Sequence, residues 1–200
     1  VDTMNQAGQT AVQLAAELAD AFDFGYQATA AALVGLGYDI QGLAEAFASV
    51  FLLTAQQAAQ VMREAFFALA TDVASALESA YGAAANVVAG VLRDAGYAVD
   101  EIVAGLHAAY QVTVTQLVEL LGQLDYGVNQ IASALSDVLA VTAEALAGVL
   151  KSLDYTVAQI GQSLQQGICY ELIDYKGEAP DLEKIADEIN ERLQEIVKAD

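Results

Sequence analysis

Apolar side chains recur every three to four residues within short segments of this chain, and the segments themselves recur every 29–30 residues. From Tyr97 the apolar positions run to Ile102, Leu106 and Tyr110, a spacing that places them on one face of a helix. Steps of 29–30 residues carry that face through the chain. One column is Leu43, Val73, Ile102, Ile131 and Ile160; the next is Phe47, Leu77, Leu106, Leu135 and Leu164. A third is Phe51, Tyr81, Tyr110, Leu139 and Ile168. The column that heads each repeat is Tyr38, Phe67, Tyr97, Tyr126 and Tyr155, and the repeat headed by Phe67 is one residue longer, with the extra residue expected between Phe67 and Val73. The second half of each repeat has its own face, through Ala58, Val88, Leu117 and Leu146, then Met62, Leu92, Leu121 and Leu150. Upstream, Leu14, Leu18 and Phe22, then Thr29 and Leu33, fit the same rhythm.

Each repeat therefore predicts two helices of about 10–12 residues joined by short turns. Thr54–Gln57, Thr113–Gln116 and Thr156–Gln159 have the form of capping boxes, in which the hydroxyl takes an orphan backbone N–H and the glutamine reaches back. Thr142 is expected to cap without a return partner, and Asp39 to cap the helix after Tyr38. Before the lead aromatic stand Gly37, Gly96, Asp125 and Asp154, residue types that accept the left-handed conformation at a helix end. This assigns the aspartates to turns rather than to a cation ladder. Helices this short are marginal alone, so each must lay its apolar face on its neighbours.

The expected fold class is all-α, a solenoid of helical hairpins with a distinct C-terminal helix. Residues 1–167 form the array, about five and a half repeats; 168–180 form an irregular or extended connector; 181–200 form an amphipathic helix. That last helix sets Leu182, Ile185, Ile189, Leu193 and Ile196 on one face, which either caps the array or docks on another subunit. The half-repeats L-x-x-x-G-Y (Leu33–Tyr38, Leu92–Tyr97) and T-x-x-Q-L (Thr113–Leu117) resemble tandem α-helical repeat proteins of the α-solenoid type. The Trp-Leu-Gly-Tyr arrangement of tetratricopeptide repeats and the Thr-Pro-Leu-His of ankyrin repeats are lacking. The resemblance implies architecture and carries over no functional residue.

Charge narrows the function. The chain has 27 acidic and 7 basic residues, a formal charge of −20, and is 56% hydrophobic. Such a surface repels phosphate backbones and anionic lipid, so nucleic acid is excluded as a partner and a membrane role is disfavoured. Two windows of 17 residues, Ala46–Met62 and Ile102–Val118, lack Asp, Glu, Lys and Arg, but both cross a predicted turn. Cys169 is the single cysteine and His107 the single histidine, which leaves no disulfide framework and no basis for a metal site or a histidine-dependent nucleophile. No cofactor and no enzymatic activity are expected. The start at Val1, without a leader-like stretch, leans the reading toward a processed, exported protein.

What remains is an interaction protein, a scaffold that binds a protein partner or its own copies. Tyr38, Tyr97, Tyr126 and Tyr155 line up along the array. They are expected to pack at repeat junctions with their hydroxyls on backbone groups or water, the alternatives being a recognition stripe or an assembly contact. The high apolar content keeps a carrier of lipid-like ligands open as a second reading, and a membrane-active helical protein as a third.

Overall fold

The helix starts follow from the hydroxyl pattern. The Thr54, Thr113 and Thr156 side chains accept from the backbone N–H of Gln57, Gln116 and Gln159 at 3.2–3.3 Å, and each glutamine accepts from the threonine's N–H at 2.9–3.0 Å. Thr10 makes a fourth box with Gln13. Thr142 accepts from Ala145 N–H without a return bond, and Asp39 accepts from Gly42 N–H at 2.8 Å. The computed structural model describes residues 9–156 and 158–164, all-helical and without a strand among the described residues. The helices are α1 (Ala11–Phe22), α2 (Tyr26–Gly35), α3 (Ile40–Ser49), α4 (Ala55–Phe66) and α5 (Ala70–Tyr81). They continue as α6 (Ala85–Asp94), α7 (Val99–Tyr110), α8 (Val114–Gln123), α9 (Val128–Leu139) and α10 (Ala143–Ser152), followed by helical residues 158–164. The expected connector and the helix carrying Leu182, Ile185, Ile189, Leu193 and Ile196 lie outside the described residues, as does Cys169.

The helix ends are more regular than the residue types suggest. Asp23, Leu52, Gly82, Gln111 and Ala140 follow the odd-numbered helices, and Gly37, Phe67, Gly96, Asp125 and Asp154 follow the even-numbered ones, all with φ between 51° and 88°. The left-handed turns expected at Gly37, Gly96, Asp125 and Asp154 are present. Phe67 corrects the register. It takes this left-handed position, with φ 52° and 85% of its surface exposed, while buried Ala68 takes the place of the lead aromatic before the N-cap Leu69. The cause is length: α4 has 12 residues where α2, α6, α8 and α10 have 10. The extra residue therefore falls between Met62 and Leu69, upstream of Phe67's expected core position. Phe22 is a second correction: it is 66% exposed, and its ring leans on Phe24 with centroids 6.0 Å apart.

The chain forms two compact units, Val1–Gln111 and Val112–Asp200. In the first, α1, α3, α5 and α7 pack one on the next, and the even helices pack on their odd-numbered neighbours, with α4 also on α6. From α3 onward the odd helices bury residues at fixed distances from the cap: Leu43, Ala44, Ala46 and Phe47 in α3, then Val73, Ala74, Ala76 and Leu77 in α5. In α7 the set is Ile102, Val103, Gly105 and Leu106. The third member is always small, and Gly105 shows why: a Cβ there would stand 2.8 Å from the Ala70 carbonyl oxygen on α5. Close backbone approach lets the flanking large side chains bury fully, at about 1.5–3 kcal/mol each. In the second unit α8 packs on α9 and α10. There α9 buries Ile131, Ala132, Ala134 and Leu135, and α8 buries Leu117, Val118 and Leu121.

Two glycine substitutions separate packing from helix propensity. Gly90, in α6, has open space around it, so Gly90→Ala is expected to stabilise by about 0.5–1 kcal/mol. Gly105→Ala carries the same propensity gain but is expected to destabilise by about 1–3 kcal/mol, because the main chain of α5 must move. Urea denaturation of the two variants reads the opposite signs directly.

Candidate interaction cleft

The tyrosine column is a set of ties between helix starts. Tyr38 Oη donates to the Gln9 carbonyl at 2.9 Å, and Tyr97 Oη donates to the Ala68 carbonyl at 2.7 Å. In both cases the ring leaves the residue just before a helix cap and ends on the equivalent residue 29 positions earlier. Tyr97 is buried, and burial pushes its hydroxyl up to about 12 against the opposing pull of the Arg63 cation. Tyr126 and Tyr155 are half-buried, and a Cβ on Gly122 would stand 3.3 Å from the Tyr155 hydroxyl, so that glycine makes room for it. A second pair of tyrosines lies at the ends of α5 and α7. Tyr110 Oη donates to the Ala83 carbonyl at 2.6 Å, whereas the buried Tyr81 hydroxyl has no partner. Desolvation pushes both up to about 12.

The basic residues follow a column of their own. Between residues 9 and 164 they are Arg63, Arg93 and Lys151, each nine residues after the cap of an even-numbered helix. Arg63 Nη1 donates to the Ala95 carbonyl at 2.6 Å, and its guanidinium lies 4.8 Å from the centre of the Tyr97 ring. Arg93 forms an exposed pair with Asp94 at 2.9 Å. That bond, helped by Gln56, holds the Asp94 carboxyl below its ordinary value. In α2 and α8 the same column holds Val34 and Gly122.

A cleft of about 420 Å³ opens at Val34, lined further by Tyr38, Asp39, Ile40, Gln41, Phe66, Asp72, Ser75 and Ala76. Counted from the caps, Val34 and Phe66 stand where Arg63 and Ala95 stand one period later, and Ala68 stands where Tyr97 does. The guanidinium and the phenol that meet between α5 and α7 thus have no counterparts between α3 and α5. The walls of the cleft are apolar and aromatic at Val34, Ile40, Phe66 and Tyr38, with the Asp39 and Asp72 carboxylates exposed at its rim. Of the residues proposed from sequence, Tyr38 alone lines it. The signal that could have found the rest was present as three departures from the period: valine in the cation column, alanine at 68, and the long repeat.

His107 is exposed in the last turn of α7, and no group of three or more His, Cys, Asp or Glu side chains placed to hold a metal ion occurs among the described residues. No helix among the described residues is long and apolar enough to cross a membrane. Comparison with protein-family models, with curated proteins and with solved structures gives no match.

The two terminal tyrosines predict opposite responses to loss of a hydroxyl. Tyr110→Phe leaves the Ala83 carbonyl without its donor and is expected to cost about 1 kcal/mol. Tyr81→Phe removes a buried hydroxyl that has no partner and is expected to be neutral or stabilising on thermal melting. Alkali gives a further check. The hydroxyls of Tyr81, Tyr97 and Tyr110 titrate near 12 in the folded chain and near 10 when unfolded. Ionisation therefore favours the unfolded chain, so stability is level below pH 10 and falls as pH rises toward 12. Denaturant midpoints should be flat from pH 8 to about 9.5 and fall steeply above 10, and Tyr110→Phe should flatten that fall.

Proposed function

We propose that this chain is a non-enzymatic helical-repeat scaffold, a solenoid of helical hairpins that presents a binding surface or associates with copies of itself. The observation that carries the reading is the exposure of bulky apolar side chains at left-handed turns. Leu52 and Phe67 both have φ 52°, with 79% and 85% of their surfaces exposed, and Leu69, two residues after Phe67, is 63% exposed. A left-handed conformation costs a residue with a side chain about 1 kcal/mol, and glycine would remove the cost. Core packing gains nothing from these side chains, since they lie outside it. A surface that meets another macromolecule gains from all of them. The even sequence period and the tyrosine ties support the hairpin stack that would carry such a surface.

The carrier of lipid-like ligands is less well supported. Of the tyrosine and phenylalanine columns, the cleft contains Tyr38; Phe66, which belongs to none of them, also lines it, and Asp39, Gln41, Asp72 and Ser75 border it, more polar than a lipid site requires.

Light scattering on a sizing column, over a range of protein and salt concentrations, tests the scaffold reading. Mass is expected to rise above the 20.9 kDa of the chain as salt screens the charge of −20. The double variant Leu52→Gly, Phe67→Gly should weaken that association while holding monomer stability or raising it by up to about 1 kcal/mol. Association unchanged in the variant would remove the turn side chains from the contact surface.

A further inference from the structure

We infer that the cleft between α3 and α5 receives an arginine side chain from a partner protein. The chain contains its own template for the contact. One period on, Arg63 lays its guanidinium 4.8 Å from the Tyr97 ring centre and donates to the Ala95 carbonyl at 2.6 Å. A Cβ added at Gly96 would stand 2.5 Å from Arg63 Nη1, so the cation is seated in tight contact with the main chain there. At the cleft the chain supplies neither group: Val34 replaces the cation and Ala68 the phenol. It offers a different aromatic surface in their place, with Tyr38 and Phe66 lining the cleft beside Val34 and Ile40.

Charge selects the occupant. Asp39 and Asp72 line the cleft, and Asp39 is held in place by accepting from the Gly42 N–H at 2.8 Å. A carboxylate already fixed by a cap meets an incoming cation without further ordering. An arginine fits this combination better than a lysine does. Its flat guanidinium stacks on aromatic faces, and its forked donors pair with a carboxylate such as those at the rim. Its methylene stem covers Val34 and Ile40 while the head stays at the polar rim. The overall charge of −20 steers a basic segment toward the chain in the first place.

The inference rests on the scaffold reading, and its test is separable from the test of that reading. The peptide acetyl-Ala-Arg-Ala-amide is titrated into the monomeric full chain at low salt, followed by backbone amide shifts. Counterparts with lysine or citrulline in place of arginine are run in parallel. Shifts are expected at Val34, Phe66 and Asp72, with affinity about tenfold lower for citrulline and several-fold lower for lysine. Val34→Arg supplies the missing cation from within, and with Ala68→Tyr it rebuilds the arrangement found at Arg63 and Tyr97. Both variants should melt no lower than the parent and lose binding at least tenfold. Asp72→Asn should weaken binding several-fold, while Glu119→Gln, an equal change of charge on α8, should leave it unchanged.

Equal binding of the citrulline peptide, or undiminished binding by Val34→Arg, overturns the inference. So does an equal effect of Glu119→Gln and Asp72→Asn, which would reduce the effect to net charge. Absence of peptide binding in a chain that still associates through Leu52 and Phe67 sinks the cleft and leaves the scaffold standing.

Discussion

A helix of ten or twelve residues does not hold its shape in water, and each helix from α1 to α10 is of that length. The structure depends on the one contact that makes such helices stable, the burial of an apolar face against the next helix of the same layer. The odd-numbered helices of the first unit make this contact most closely. A small residue recurs at the crossing (Ala46 in α3, Ala76 in α5, Gly105 in α7), so that backbones come together and the larger neighbours are fully enclosed. Remove the small residue and the large ones lose their seat, because a packed interior transmits displacement instead of absorbing it.

Around that contact the chain spends its polar groups on closure. Threonine and aspartate caps satisfy helix starts, and left-handed residues end the helices and turn the chain. The tyrosine hydroxyls of residues 38 and 97 join one helix start to another. Each device is ordinary by itself. Repeated at 29–30-residue intervals, they make the turns interchangeable, and the turns become the places where side chains can vary without cost to the core. Leu52, Phe67 and Gln111 occupy the same conformation as Gly82 and Gly37, with different surfaces as the result.

The cleft arises from irregularity in the same scheme. Where the cation column holds valine and the tyrosine column holds alanine, the groups that meet as Arg63 and Tyr97 one period on are missing, beside a helix lengthened by one residue. The acidic balance of the chain then favours a cation over any other group as the visitor.

The sequence by itself determined the helices, their caps and their period, because these follow from spacing and from bonds made within three or four residues. It also determined the left-handed turns at Gly37, Gly96, Asp125 and Asp154, where residue type and position agree. It misplaced Phe67 and Phe22, because an aromatic residue one step from a core column looks the same in a linear pattern whether it faces inward or out. Only the tertiary structure decided that α4 carries the extra residue, since an insertion is located by which side chains remain in contact on either side of it. The same holds for the cleft. Val34, Tyr38, Phe66 and Asp72 are distant in sequence, and their meeting depends on how α2, α3, α4 and α5 pack, which no local rule contains.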